Sequence, residues 1–435
     1  MTEVTLDATL LRALSLYIPL GAVAVVWWWR RPSRQTTVGV FLAVVWNASA
    51  LLAVNVIAQA AGWWRFQAEG GMTLGMPVDL LLGWALLWGA AGVLALRGQP
   101  MAVVIAAMTL ADVALMPQLR PVVVLGPAWL VGEALALAVS LVPGLLLTRW
   151  TAADAHLYWR CTLQLVLAGA LVLWLLPATV LGDPSGLAAL LAPLPRPVLA
   201  AVLALLGLCS LLGVAAVQEF AERGSGTPLP YDPPKRLVVT GPYAFTANPM
   251  QISVTLILAV MAVLSRDLRF AAAAVVSVAY SAGLALWHED EDLRNRFGAP
   301  WEALRAATSP WRIRRRPHWS GPPATIWMSQ TCEQCASVDR FLRSRRPIGL
   351  DVRAAEIHPG RGLARITYEL GAQRWQGLPA IARALDHLHL GWAILGWVLR
   401  LPGVAHALQV VVDAAGGGPR FVAGNRDQAQ SAAKP

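Results

Sequence analysis

Charge is what this sequence has least of. Of its 435 residues only 14% are Asp, Glu, Lys or Arg, against about 25% in an ordinary soluble domain. Cysteine is scarce too, with four in all, which excludes a disulfide scaffold. Cys161 and Cys209 lie inside apolar runs, and Cys332 and Cys335 form one close pair. No arginine-rich patch is interleaved with aromatics. The formal net charge of +10 and a pI near 10.2 are therefore read as basic residues flanking membrane spans, not as a nucleic-acid surface. The N-terminus does not read as a cleavable leader either: Glu3 and Asp7 stand where a basic region would be expected, and no small-x-small site follows the first apolar run. That run is expected to be a retained span. Neither a fixed-period repeat nor a pair of inverted halves with broken helices is visible.

What the sequence has in excess is apolar length. Hydrophobic residues make up 57% and the mean hydropathy is +0.54. A hydrocarbon core about 30 Å thick needs roughly 20 apolar residues as helix, because unpaired backbone is not tolerated there. Such runs fall near Leu10–Trp29, Val38–Ala61, Pro77–Leu96, Ala102–Met116, Val122–Leu147, Leu163–Leu181, Pro197–Val217, Pro249–Leu264 and Phe270–Trp287. The expected fold is an all-α polytopic membrane bundle of about nine spans with a small C-terminal α/β domain. Residues 1–196 read as a multi-span region and 197–316 as a membrane domain with a loop and helical hairpin. Residues 322–420 read as the small domain, and 421–435 as a disordered tail. Arg30, Arg31, Arg34, Arg149, Arg160, Lys235 and Arg236 follow alternate spans, which favours an outside N-terminus and a cytoplasmic C-terminus in a bacterial-type inner or plasma membrane.

Several polar residues interrupt the spans, among them Asn47, Asn55, Asp79, Asp112 and Glu133. Intramembrane acids are costly and are candidates for function. Asp79 and Asp112 fall near span ends, where facing an interface is the simpler account, whereas Glu133 is more central. A transporter built on these acids has no supporting motif.

The most informative stretch begins at Gln218 and reads QEFAERGSGTPLPYDPPKRLVVTGPYAFTANPMQ. It leads through a hydrophobic hairpin to HEDEDLRNRFGAPWEAL. Its Gly/Pro-rich part, residues 224–249, is a loop. Pro249 suits the first turn of a helix and Asn248 its N-cap, and the free N–H groups of that turn can receive an anionic group. Residues Glu289 to Asp292 gather four acids at the far end of the hairpin.

This pairing resembles the isoprenylcysteine carboxyl methyltransferase and phospholipid methyltransferase family of membrane enzymes, over roughly residues 203–312. The matching positions are Gly241, Pro242, Tyr243, Asn248, Pro249 and Met250, then Glu289, Asp290, Leu293, Phe297, Gly298 and Trp301. The resemblance implies that S-adenosyl-L-methionine binds between the two motifs, opening toward a lipophilic acceptor in the lipid bilayer. It assigns Gly241, Pro242, Tyr243, Asn248, Pro249, Glu289 and Asp290 to that cofactor. Methyl transfer asks mainly for alignment of donor and acceptor. The family's arginines are Ala244 and Ala247 here, and a tyrosine is Gln251. Those losses imply a different acceptor or a weakened site.

After the basic flank Arg312–Arg316 comes a strand over Ala324–Met328, the sequence CEQC, a helix over Ala336–Arg345 and a strand over Gly349–Ala354. A CxxC between strand and helix is the thioredoxin-like arrangement, in which helix amides favour a Cys332 thiolate and Cys335 resolves the mixed disulfide. Glu333 works against the thiolate. Two thiols make a poor zinc site and no metal is expected. FLRSRR and the AL…W…P helical tail resemble the DCC thiol-disulfide oxidoreductases, although their YDG before the first cysteine is lost. That resemblance implies Cys332 and Cys335 as redox residues and a thiol partner. The leading expectation is a methyltransferase, and the alternative is a membrane-anchored thiol redox protein on a degenerate methyltransferase scaffold.

Overall fold

The computed structural model describes residues 7–229, 232–360 and 362–423, with only the backbone of 284–289. Among the described residues seven helices are long and apolar enough to cross a membrane, and the chain is an integral membrane protein. They are α1 (Ala8–Arg30), α2 (Arg34–Ala60), α3 (Val78–Ala95), α4 (Met101–Leu119), α5 (Trp129–Ala152), α6 (Leu157–Leu181) and α7 (Arg196–Gly224). The expected eighth and ninth spans form shorter apolar helices, α8 (Pro249–Ser265) and α9 (Leu268–Tyr280). The 17 residues of α8 rise about 1.5 Å each, so the helix is shorter than the hydrocarbon core is thick. The chain divides into two compact units, one of residues 1–196 with 226–233, the other of 197–225 with 234–435.

In the first unit helices approach closely through small residues, the packing favoured where lipid gives no hydrophobic drive. A Cβ at Gly83 would stand 1.9 Å from the Ser15 carbonyl oxygen, so only glycine lets α3 lie against α1 at that point. Thr148 on α5 donates to the Gly39 carbonyl at 2.9 Å, and Ser140 to the Asn47 Oδ1 at 2.7 Å. Asn55 donates to the Leu74 carbonyl and accepts from the Trp64 indole. The two asparagines expected from sequence thus bind helices and loops together. Outside the helices, β1 (Trp64–Phe66) pairs antiparallel with β4 (Val123–Leu125), and β2 (Met72–Thr73) with β3 (Met76–Pro77).

Helical stretches widen into π-turns at Leu87–Ala91, Leu137–Leu141, Ala170–Leu175, Phe220–Gly224 and Ser281–Ala285, and the C-terminal helix ends in another at Asp413–Gly417. In the first of them the Gly92 N–H reaches back five residues to the Leu87 carbonyl.

The second unit continues through α7 into the loop, the α8–α9 pair, α10 (Leu286–Phe297) and α11 (Ala299–Ala307). It then forms a four-stranded sheet of β5 (Ala324–Met328), β6 (Leu350–Ala354), β7 (Thr367–Leu370) and β8 (Gln373–Gln376). The strand order is β6-β5-β7-β8, with β5 parallel to β6 and the other two pairings antiparallel. Helix α12 (Glu333–Ser344) joins β5 to β6, the crossover that a parallel pair requires. Helix α13 (Leu378–Leu385) follows the sheet and packs Ala380, Ala384 and Leu385 against Ile326, Met328 and Tyr368. Helices α14 (Leu390–Arg400) and α15 (Pro402–Val412) have 11 residues each and meet at a bend of 89°. Of the tail expected to be disordered, 424–435 lie outside the described residues, while Val422 bridges to Leu363.

Candidate functional site

Helix α12 begins three residues before the sequence suggests, and the difference decides the chemistry of the thiol pair. Cys332 itself is the N-cap, with extended backbone, and its Sγ accepts the Cys335 N–H at 3.4 Å. The Ala336 N–H reaches the Cys332 carbonyl at 2.9 Å, closing the first turn. The preceding loop is pinned by Glu356, whose Oε1 accepts from the Ser329 hydroxyl and the Gln330 N–H. Both cysteines are free and half-buried.

Burial pushes the Cys332 thiol up, but the hydrogen bonds from Cys335 and the Gln334 amide and the Arg420 charge outweigh it, so its pKa lies below the ordinary thiol value. Burial raises the Cys335 thiol, and its hydrogen bond to Cys332 adds to this, pushing it up to about 12. The pair is thus divided into a sulfur, Cys332, whose thiolate is favoured and a second, Cys335, that is held protonated.

The loop expected to cradle a cofactor is packed against the protein itself. Gly241, Pro242, Tyr243 and Ala244 form a buried 3₁₀ turn. Tyr243 packs on Ala216 and Val238, with Phe220 and Met250 at the edge. Ala244 and Phe245 form a core with Leu211, Leu212 and Ala215 of α7 and with Ala393 and Trp397 of α14. The Phe245 and Trp397 rings meet edge to face, with centroids 6.0 Å apart. Gly241 has φ of +59°, a conformation that favours glycine, and a Cβ there would crowd Glu219 Cδ at 3.1 Å.

Asn248 occupies the N-cap position of α8 as expected, and Pro249 its first turn, but the Asn248 side chain makes no capping hydrogen bond. Asp290 is engaged locally: it pairs with Arg294 at 2.7 Å, accepts from the Trp301 indole at 2.9 Å and lies 3.7 Å from Arg305. Those contacts hold α10 against α11. The side chain of Glu289 lies outside the described residues.

Beneath the loop lies an ionic cluster that sequence reasoning missed. Glu219, 1% exposed at the end of α7, faces Arg400 at 3.0 Å, Arg383 at 3.3 Å and Arg223 at 3.6 Å. The Thr240 hydroxyl donates to the same carboxylate. Arg383 also pairs with Glu222, and Arg400 with Asp386 at 3.2 Å. Both Arg383 and Arg223 stack over the Trp375 ring, at 3.9 and 4.6 Å. Glu219, Glu222 and Asp386 thus balance Arg223, Arg383 and Arg400 in charge, which is how ions persist away from water. The one signal in the sequence is a Glu closing a long apolar helix, with arginines set in the apolar tail.

Burial dominates the two neighbouring titratable groups of the small domain. It pushes the Asp386 carboxyl up to about 6 despite Arg400. It also pulls the His387 imidazole down to about 4, although that ring bonds the Tyr368 hydroxyl at 2.8 Å and the Ile348 carbonyl at 2.7 Å. No group of three or more His, Cys, Asp or Glu able to hold a metal ion occurs among the described residues. No protein-family model, curated protein or solved structure matches the chain, so its function is read from its own side chains.

Proposed function

We propose that this protein is a membrane-embedded thiol–disulfide redox protein in which Cys332 and Cys335 do the chemistry. The observation that carries the reading is Cys332 at the N-cap of α12, its sulfur facing the helix amides and its pKa lowered, beside a Cys335 held protonated. The sheet order and the α12 crossover support a thioredoxin-like domain. The Cys332 thiolate attacks a disulfide sulfur of the partner, forming a mixed disulfide and releasing one partner thiolate. Cys335 then gives its proton to that thiolate and attacks Cys332, releasing the second partner sulfur as thiolate. The partner gains two electrons and the pair ends oxidised. The short-loop arginines favour a cytoplasmic side for this domain.

Alkylation of the full-length protein in detergent tests the reading. Cys332 is expected to react with iodoacetamide faster than free cysteine at neutral pH, and Cys332→Ser to abolish disulfide exchange with a model disulfide. A Cys332 no more reactive than free cysteine, or exchange that survives the substitution, would sink it.

Methyl transfer from S-adenosyl-L-methionine to a lipophilic acceptor is the second reading. The uncapped first turn of α8 behind Asn248 favours it, together with the Gln251 Oε1, which is buried without a hydrogen-bond partner. It stands second because α14 occupies the Ala244–Phe245 face of the loop. Calorimetric titration of the purified protein with the cofactor separates the two: binding that Glu289→Ala weakens would restore methyl transfer to first place.

A further inference from the structure

Asp112 was expected near a span end and facing an interface. Instead it is fully buried, and Glu133, from the next span, is 4% exposed beside it. The two carboxyls are within hydrogen-bonding reach of each other. Asp112 Oδ1 accepts from the Trp84 indole, whereas Asp112 Oδ2 and Glu133 Oε1 meet no donor from the protein. Among the described residues no cation pairs with either acid. Two ionised carboxylates are acceptors only, so the contact between them exists only with a proton in it.

A second observation stands beside the acids. Glu133 lines a cavity of about 40 Å³ with Asn55, Trp64, Trp84, Trp88 and Met116 among its walls. Among the described residues Glu133 is the only titratable group lining it. The Trp88 side chain is 1% exposed, lines the same cavity, and its indole N–H has no acceptor from the protein. The space suits about two or three water molecules and is too small for an organic ring. Asp79, the other acid of these spans, pairs with Arg12 at 2.7 Å and takes no part.

We propose that Asp112 and Glu133 form a proton-binding site inside the membrane unit, sharing one proton and exchanging protons through water in the cavity beside Trp88. With one proton the pair carries a single negative charge, held by the Trp84 and Trp88 N–H groups, the latter through water. With a second proton it is neutral. Binding and release of that second proton is the step the site performs, with no other atom transferred. An acid pair buried among spans without a cation is otherwise an unbalanced cost.

Infrared spectroscopy of the full-length protein in lipid nanodiscs tests this. At about pH 8, above the value of about 6 held by Asp386, exposed acids are ionised and only a protonated buried carboxyl gives an acid carbonyl band. The wild type is expected to show that band, to shift it within minutes in D₂O, and to lose it in the Asp112→Asn/Glu133→Gln double variant. The band should also grow as the pH is lowered further. No band, a band that D₂O leaves in place, or a band that survives in the folded double variant would each overturn the proposal. The first two outcomes are read on the wild type alone, so a variant that fails to fold does not protect it.

Discussion

Two buried acids of this molecule, Glu219 and Asp112, show opposite ways of surviving away from water. Glu219 is ringed by three arginines and a threonine hydroxyl. Asp112 has an indole and a second carboxyl. The first is stabilised by opposite charge and keeps its own, the second by hydrogen bonding that requires a proton. Removing one partner from an ion cluster strands the rest, whereas replacing an acid that shares a proton with an amide leaves a hydrogen bond in place.

The largest test of that contrast is Glu219→Ala. It leaves Arg223, Arg383 and Arg400 facing one another, and denaturant titration in detergent should show a loss of about 3–5 kcal/mol. A loss below that of an ordinary surface change would mean the arginines find other partners.

Thr240→Val comes next. It keeps the shape and removes the donor to Glu219, so the same titration should register about 1.5–3 kcal/mol, the worth of a hydrogen bond to a charged group.

The third test concerns pH. Asp386 is raised from 3.8 to about 6, so the folded form binds more protons, and its contribution is full below 3.8 and lost as pH rises through 6. His387 is lowered from 6.5 to about 4, so its contribution is full above 6.5 and lost as pH falls through 4. The two slopes oppose each other between about pH 4 and 6 and nearly cancel. Asp386→Asn should leave stability rising with pH by up to about 1.4 kcal/mol per unit, and His387→Gln should leave it falling by a similar amount. Parallel profiles for the two variants would show that neither group is held as described.

The smallest effect belongs to the other acid. Asp112→Asn should change stability by no more than about 1 kcal/mol, because the amide can donate where the proton was. A loss as large as that of Glu219→Ala would erase the distinction between the two sites.

The seven long helices were legible because about 20 consecutive apolar residues have few alternatives in a membrane. The thiol pair was legible as well, since CxxC between a strand and a helix is a local pattern. Its helix starts at Glu333 because Cys332 takes the cap, a detail that depends on one side chain. In the hairpin after Asn248 the first helix is short, as its apolar run already indicated, and the second continues as helix through Ser281–Ala285 into Leu286–Phe297. Asp112 and Glu133 stood out singly as acids within spans, but neither pairing could be read: Glu219 meets Arg383 and Arg400 far along the chain, and Asp112 meets Glu133 across two helices. Such pairings are made by packing, and no spacing rule encodes them.

The π-turn at Phe220–Gly224 sits next to Glu219 and contains Glu222 and Arg223. A π-turn is an α-helix with one residue wound in as a supernumerary. Loss of Ala221, a deletion of a single codon, would leave the hydropathy of the span almost untouched. It would also swing the residues after it by about 100° around the helix axis. Arg223 would then leave the Trp375 ring, and Glu222 would leave Arg383. The phase of this helix, and not only its composition, is thus under constraint, and an insertion or deletion there would act like several substitutions at once.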